Sequence, residues 1–143
     1  MNFLQMSEEQ TQELLQQMQA LEAYMTDLLQ KEQSIMKLLQ EATGAIESMK
    51  ALCDTQLETL VPIGMGAYVK ATIPPNEKMV VNIGAGASIE QDKNSAINYV
   101  EERIKELEIV LQQLSAQKHE VALRLEHGQR EMNRLLQASQ SNQ

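Results

Sequence analysis

Two stretches, residues 4–53 and 94–139, contain no proline and repeat apolar residues at heptad spacing, and this periodicity constrains the chain more than any other feature. With position a at Leu4, the first stretch places Leu4, Thr11, Met18, Met25, Glu32, Leu39, Ile46 and Cys53 at a. Its d positions are Ser7, Leu14, Leu21, Leu28, Ile35, Ala42 and Met49. In the second stretch a holds Ile97, Ile104, Leu111, Lys118, Leu125, Met132 and Ser139, and d holds Val100, Leu107, Leu114, Val121, Gly128 and Leu135. Each stretch therefore carries one narrow apolar stripe with polar b, c and f positions. Such a helix has a single partner-facing side and cannot sit inside a globular core. At 1.5 Å per residue the helices are expected to be about 70–75 Å long. Ser7 with Gln10 forms a capping box for the first, and Asp92, Asn94 and Ser95 offer caps for the second.

All three prolines (Pro62, Pro74, Pro75) and four of the six glycines (Gly64, Gly66, Gly84, Gly86) lie between residues 62 and 86. The segments LETLVPI, AYVKATI, KMVVNI and ASIE are short, rich in Val, Ile, Thr and Tyr, and separated by Gly-x-Gly and Pro-Pro-Asn-Glu, which predicts strands. Ile63-Gly64-Met65-Gly66-Ala67-Tyr68-Val69 recurs as Ile83-Gly84-Ala85-Gly86-Ala87-Ser88-Ile89, so two hairpins are expected, each turning at its Gly-x-Gly. Strands this short and apolar cannot bury their own faces, and an exposed apolar edge is a pairing site. Val61, Ile63, Tyr68, Val69, Ile73, Val80, Val81 and Ile83 are accordingly the expected oligomerisation residues. The predicted organisation is a helix over 1–53, a two-hairpin linker over 54–91 and a helix over 92–143, together one mainly α domain.

A linker of about 40 residues favours folding the helices back as a long antiparallel coiled-coil hairpin, with both termini at the far end. Charge agrees: residues 1–30 carry five acids and no base, whereas residues 118–143 carry four bases and three acids. An antiparallel seam sets a against d when facing residue numbers sum to 146, 153 or 160. The sum of 153 places Glu32 opposite Val121 and Ile35 opposite Lys118, so the two seam charges lie diagonally close enough to pair. Gly128 falls at d, where it is expected to loosen the arm near its tip, while Gly44 falls at f and faces solvent.

Composition removes most other functions. The 143 residues include 43% apolar side chains but only four aromatics (Phe3, Tyr24, Tyr68, Tyr99), with 18 Gln and 9 Met. Such usage goes with long packed helices, not with a sandwich or a doubly wound sheet. A net charge of −8 disfavours nucleic acid and acidic membranes, whose binding needs clustered Lys and Arg. There is no apolar run of about 18 residues, and MNFLQMSEEQ lacks the features of a signal peptide, so a cytoplasmic location is expected. The single Cys53 agrees with a reducing compartment.

The most specific stretch is LETLVPIGMGAYVKATI, residues 57–73, followed by VVNIGAGASIE, residues 80–90. With the flanking helices, this resembles the α-class subunit of prefoldin, most closely its archaeal form, over almost the whole chain. The resemblance implies a heterohexamer of two α and four β subunits, in which the hairpins assemble an intersubunit β-barrel and six coiled-coil arms hang from it. It further implies an ATP-independent chaperone, without cofactors, that holds unfolded polypeptides at the arm tips and delivers them to a group II chaperonin. Phe3, Leu4 and Met6 converge with Met132, Leu135 and Leu136 at the open end of an antiparallel hairpin and are the expected client-binding residues.

Other features have plainer readings. A dinucleotide fingerprint needs a third glycine where Val69 and Ile89 stand, so the Gly-x-Gly pairs read as turns. His119 and His127 occupy outward positions without ligand-spaced partners, and Cys53 sits on the seam, so no metal site and no catalysis are assigned. Met18 and Met25 read as seam packing. A structural coiled-coil adaptor, whose tips have no binding duty, is the alternative to a chaperone.

Overall fold

The computed structural model describes residues 3–52, 55–75 and 77–141; the side chains of residues 3–7 and 141 lie outside that description. The architecture is mainly α, with two antiparallel β-hairpins between two long helices. Helix α1 (Phe3–Ala51) and helix α2 (Lys93–Ser141) each have 49 residues. Between them run β1 (Leu57–Gly64), β2 (Ala67–Ile73), β3 (Met79–Gly84) and β4 (Ala87–Gln91). Helix α1 begins at Phe3, four residues ahead of the expected cap, so Ser7 lies inside the helix and no capping box forms there. Phe3, Leu4, Gln5 and Met6 contain no breaker, so nothing stops the helix from extending through them. Cys53 lies outside the described residues.

The chain divides into two compact units, Met1–Met36 with Ile109–Gln143, and Lys37–Glu108. In the first unit the half-buried residues of α1 are Thr11, Leu14, Met18, Leu21, Met25, Glu32 and Ile35, all at the expected a and d positions. Leu28, 1% exposed, forms the centre of the core with Leu114 and Val121, against which Leu21, Met25, Ile35 and Leu125 pack. Burying each such side chain contributes roughly 1.5–3 kcal/mol, which outweighs the weak intrinsic preferences of a Gln-rich helix surface. Lys118 Nζ meets Glu32 Oε2 at 2.7 Å, and Met18 lies against Gly128, so a higher number on one helix faces a lower number on the other: the segments are antiparallel.

The same contacts correct two expectations. Met18 facing Gly128 gives a sum of 146, one heptad from the expected 153, so Glu32 lies in the layer of Leu114 and Lys118 in that of Leu28. The charges still pair diagonally. Heptad spacing alone makes 146 and 153 equivalent. Gly128 is buried, and a Cβ there would stand 3.0 Å from Met18 Cγ, so this glycine does not loosen the arm but makes room for a large side chain across the seam.

In the second unit, β1 pairs with β2 and β3 with β4 as separate two-stranded sheets. The registers run Leu57↔Ile73 to Gly64↔Ala67 and Met79↔Gln91 to Gly84↔Ala87, each with a bulge just before its turn. Met65-Gly66 and Ala85-Gly86 are two-residue turns with positive φ throughout (51° and 77°, 53° and 77°), the geometry whose twist matches paired strands. Asn82 Oδ1 accepts from the Gly84 N–H at 2.9 Å, bracing the second bulge.

Adjacent residues terminate both helices. Asp92 Oδ1 accepts from the Ser95 N–H at 2.7 Å, which caps the N-terminus of α2, and this bond holds the Asp92 carboxyl below its ordinary value. A side-chain bond from Ser95 lowers it further, desolvation opposes the shift, and the charge of Lys78 adds a lesser lowering. Lys93 Nζ donates to Leu52 O at 2.7 Å and to Lys50 O at 3.4 Å, placing a cation on the carbonyl end of α1. Ala96 and Ile97, on the first turns of α2, are buried.

Two tests follow from this architecture. Glu32 and Lys118 side chains are only 20% and 26% exposed, so a double-mutant cycle with Glu32→Gln and Lys118→Met should return a coupling of about 1 kcal/mol in chemical denaturation. Additive single effects would show that each side chain simply extends to solvent. For Asp92, a lowered folded pKa means that its contribution is complete above the ordinary value of 3.8 and is lost as pH falls through the lower folded value. The stability difference between the wild type and Asp92→Asn, which keeps a capping side chain without the charge, should thus be constant from about pH 8 to pH 5 and shrink below about pH 4.

Candidate functional site

A two-stranded sheet has one layer and two edges, so its apolar side chains have nowhere to go within the hairpin. In the first hairpin Leu57, Thr59, Val61, Val69, Ala71 and Ile73 share one face and Leu60, Pro62, Tyr68 and Lys70 the other. Leu57, Thr59, Ala71 and Ile73, near the helices, are half-buried, whereas Val61 and Val69 are exposed. On the other face Leu60 is 57% and Tyr68 59% exposed. The second hairpin repeats this: Met79 and Val81 are half-buried, and Val80, on the opposite face, is 70% exposed. Of the eight expected oligomerisation residues, then, Val61, Ile63, Tyr68, Val69, Val80 and Ile83 are exposed and Ile73 and Val81 are half-buried. Leu60, Met65 and Ile89 extend the exposed set. Leu60 could have been found by applying strand alternation to both faces, since it stands across from Lys70 on the face of Tyr68.

The second candidate surface lies on the first unit. Of the expected client-binding residues, the side chains of Phe3, Leu4 and Met6 lie outside the described residues. Met132 and Leu135 are half-buried at their a and d positions, and Leu136 is 51% exposed. A side groove of about 690 Å³ that the heptad count did not reveal runs between α1 and α2. Leu14, Met18, Leu21 and Gly128 form its floor, and Tyr24 and Leu123 are exposed along its walls. A smaller groove of about 260 Å³ adjoins it, sharing Leu14 and Gln17 and ending at Gln10, Glu13 and Leu135. Leu123 is an outward f residue, and Gly128 carries no side chain, so neither signals a binding surface from spacing alone. His127 stands at the groove rim and His119 is exposed. Among the described residues no group of three or more His, Cys, Asp or Glu could hold a metal ion, and no helix is long and apolar enough to cross a membrane.

Long helices and two hairpins with exposed apolar side chains offer packing surfaces and not an enclosed reaction site. Comparison with known proteins places the chain. The prefoldin subunit family matches residues 7–138. The chain is 50% identical to the prefoldin subunit alpha of Nitrosopumilus maritimus over 96% of its own length and 95% of the relative's. It is 34% identical to the prefoldin subunit alpha of Methanospirillum hungatei, covering 79% and 78%. The fold is similar to that of the prefoldin beta subunit from Thermococcus strain KS-1, with a TM-score of 0.60 and 19% identity over 86% of this chain and 89% of that one. It is also similar to the filamentous PFD from Methanocaldococcus jannaschii, at a TM-score of 0.53 and 24% identity over 83% and 94%. The chain belongs to the prefoldin family and, within it, to the α class. It is a chaperone subunit and not an enzyme.

Proposed function

We propose that this subunit works in the cytoplasm within a heterohexamer of two α and four prefoldin β subunits, captures unfolded polypeptides at its coiled-coil tips without ATP, and delivers them to a group II chaperonin. The observation that carries this reading is the pair of hairpins whose apolar residues remain exposed on both faces. Pairing their edges with those of neighbouring subunits into a β-barrel would cover Val61, Ile63, Val69, Val80 and Ile83. At roughly 1.5–3 kcal/mol for each fully buried side chain, a handful outweighs much of the cost of association. The helices, by contrast, already satisfy one another along a single seam and leave their ends free for clients. Phe3, Leu4, Met6, Met132, Leu135 and Leu136 are the proposed client contacts there. Each arm would bind weakly, and several arms on one unfolded chain would raise avidity by roughly 10² to 10⁴.

Replacing Ile63 and Ile83 together by Asp should keep helicity high in circular dichroism while the native mass with a co-expressed β-class subunit falls to monomers or small species. An intact hexamer would remove the hairpins from assembly. For the chaperone itself, the assembled complex should suppress light scattering by a chemically unfolded protein in the absence of nucleotide. Deleting residues 1–6 and 132–143 should preserve the oligomer and weaken that suppression. Full protection by the truncated complex would move client binding away from these tips, and no protection by the intact complex would favour a structural adaptor.

A further inference from the structure

The two turns of the second unit match in backbone and differ in side chain. Met65 and Ala85 hold the first turn position at φ 51° and 53°, each behind its bulge. In this left-handed region a Cβ crowds the backbone, and Asn, Asp or Gly is the usual occupant. The second hairpin meets the constraint with the small Ala85. The first puts there a long apolar side chain bare to solvent, Met65, which is 106% exposed. Gly64 and Gly66 flank it without side chains, and nothing stands within 4 Å of where their Cβ atoms would be. Neither the backbone nor water favours methionine at this place, so no interaction within the chain accounts for it. Close by, Ile63 is 66% and Tyr68 59% exposed, whereas the matching positions of the second hairpin hold Ile83, at 44%, and the polar Ser88. The first hairpin therefore ends in three large exposed side chains, one of which, Ile63, belongs to the surface that assembly would cover.

Exposure also sets Met65 apart chemically. Among the described methionine side chains, Met18, Met25, Met49, Met79 and Met132 are half-buried and Met36 is 48% exposed, so Met65 is the most accessible. A hydroperoxide oxidises a thioether that it can reach. The sulfur lone pair attacks the outer peroxide oxygen, the S–O bond forms as the O–O bond breaks, and sulfur gives up two electrons. With hydrogen peroxide the departing hydroxide takes the proton of the transferred hydroxyl and leaves as water. The product is a sulfoxide, which is polar and accepts hydrogen bonds. Two thiols reverse the change in an enzymatic reduction, giving back the thioether with a disulfide and water.

We infer that Met65 is an oxidation site that controls assembly. As the thioether it packs beneath a hairpin of a neighbouring prefoldin subunit; as the sulfoxide it keeps the first hairpin out of the complex. This rests on the assembly reading above and adds a modification to it. Water satisfies the sulfoxide oxygen of a free subunit, while an apolar interface leaves it without a donor, so oxidation favours the unassembled chain. Assembly in turn covers the sulfur, and peroxide acts on subunits that have not yet found partners.

The test treats the free full chain with hydrogen peroxide, removes the peroxide and adds untreated β-class partner. Peptide mass mapping should show Met65 oxidised at least fivefold faster than the other described methionines. By native mass, the treated chain should need at least a tenfold higher concentration to form the complex. Met65→Leu, treated identically, should assemble as the untreated wild type does. Met65→Gln, a polar side chain of similar length, should assemble as poorly as the treated wild type with no peroxide at all. In the preformed complex Met65 should oxidise at least fivefold more slowly than in the free chain. Oxidation of Met65 no faster than that of the half-buried methionines, or at the same rate in the complex, overturns the switch. So does unchanged assembly of the treated wild type, or an equal loss in treated Met65→Leu. In each of these cases the untreated chain still assembles. No complex from untreated chain and partner removes the assembly reading itself, and the switch with it.

Discussion

A heptad stripe covers about two positions in seven, and that limit governs the rest of this molecule. Each helix can satisfy one narrow side, so the seam of Leu21, Met25, Leu28, Leu114, Val121 and Leu125 consumes the apolar surface the helices offer one another. The hairpins between the helices carry Val61, Val69 and Val80 into solvent because the fold supplies no second layer for them to pack against. Exposed apolar strands are a hazard in an isolated chain.

The seam also shows how a coiled coil narrows its choice of register. A stripe of Leu, Ile and Met alone packs nearly as well when slid by one heptad, since each a residue still meets a d residue. Two local irregularities limit that freedom. Glu32 and Lys118 come within 2.7 Å of each other inside the seam, and they remain diagonal neighbours at sums of 146 and 153 but not at 139 or 160. Gly128 receives Met18; at 153 it would receive Met25, another methionine, whereas sums of 139 or 160 would bring Thr11 or Glu32 there. One contact is electrostatic and the other steric. Both cost stability relative to an ideal Leu layer, and both disfavour registers other than 146 and 153.

At the other end of the helices, two consecutive residues do the work of two caps. Asp92 closes the amide end of α2, and Lys93, one residue on, closes the carbonyl end of α1. Placing opposite charges side by side on the chain matches the opposite polarities of the two helix ends. Reduced exposure returns here, at Ala96 and Ile97, and the strands leave from this point with their first residues, Leu57 and Met79, still partly covered.

Period and composition alone determined the element order, the turn positions and the a and d residues that became buried, because heptads, Gly-x-Gly and β-branched runs are local signals that need no knowledge of the partner. The cap at Asp92 was legible for the same reason, and the exposed strand residues followed from there being too little chain to cover them. Three things were decided only in the tertiary structure. The register at 146, read from Met18 against Gly128, is a fact about pairs of residues more than a hundred positions apart and is not recorded in the period of either helix. Lys93 reaches the end of α1 only when the hairpins have brought the two helix ends together. The side groove exists because outward Tyr24 and Leu123 from different helices flank a missing side chain, and no periodicity in either helix records what the other places opposite it.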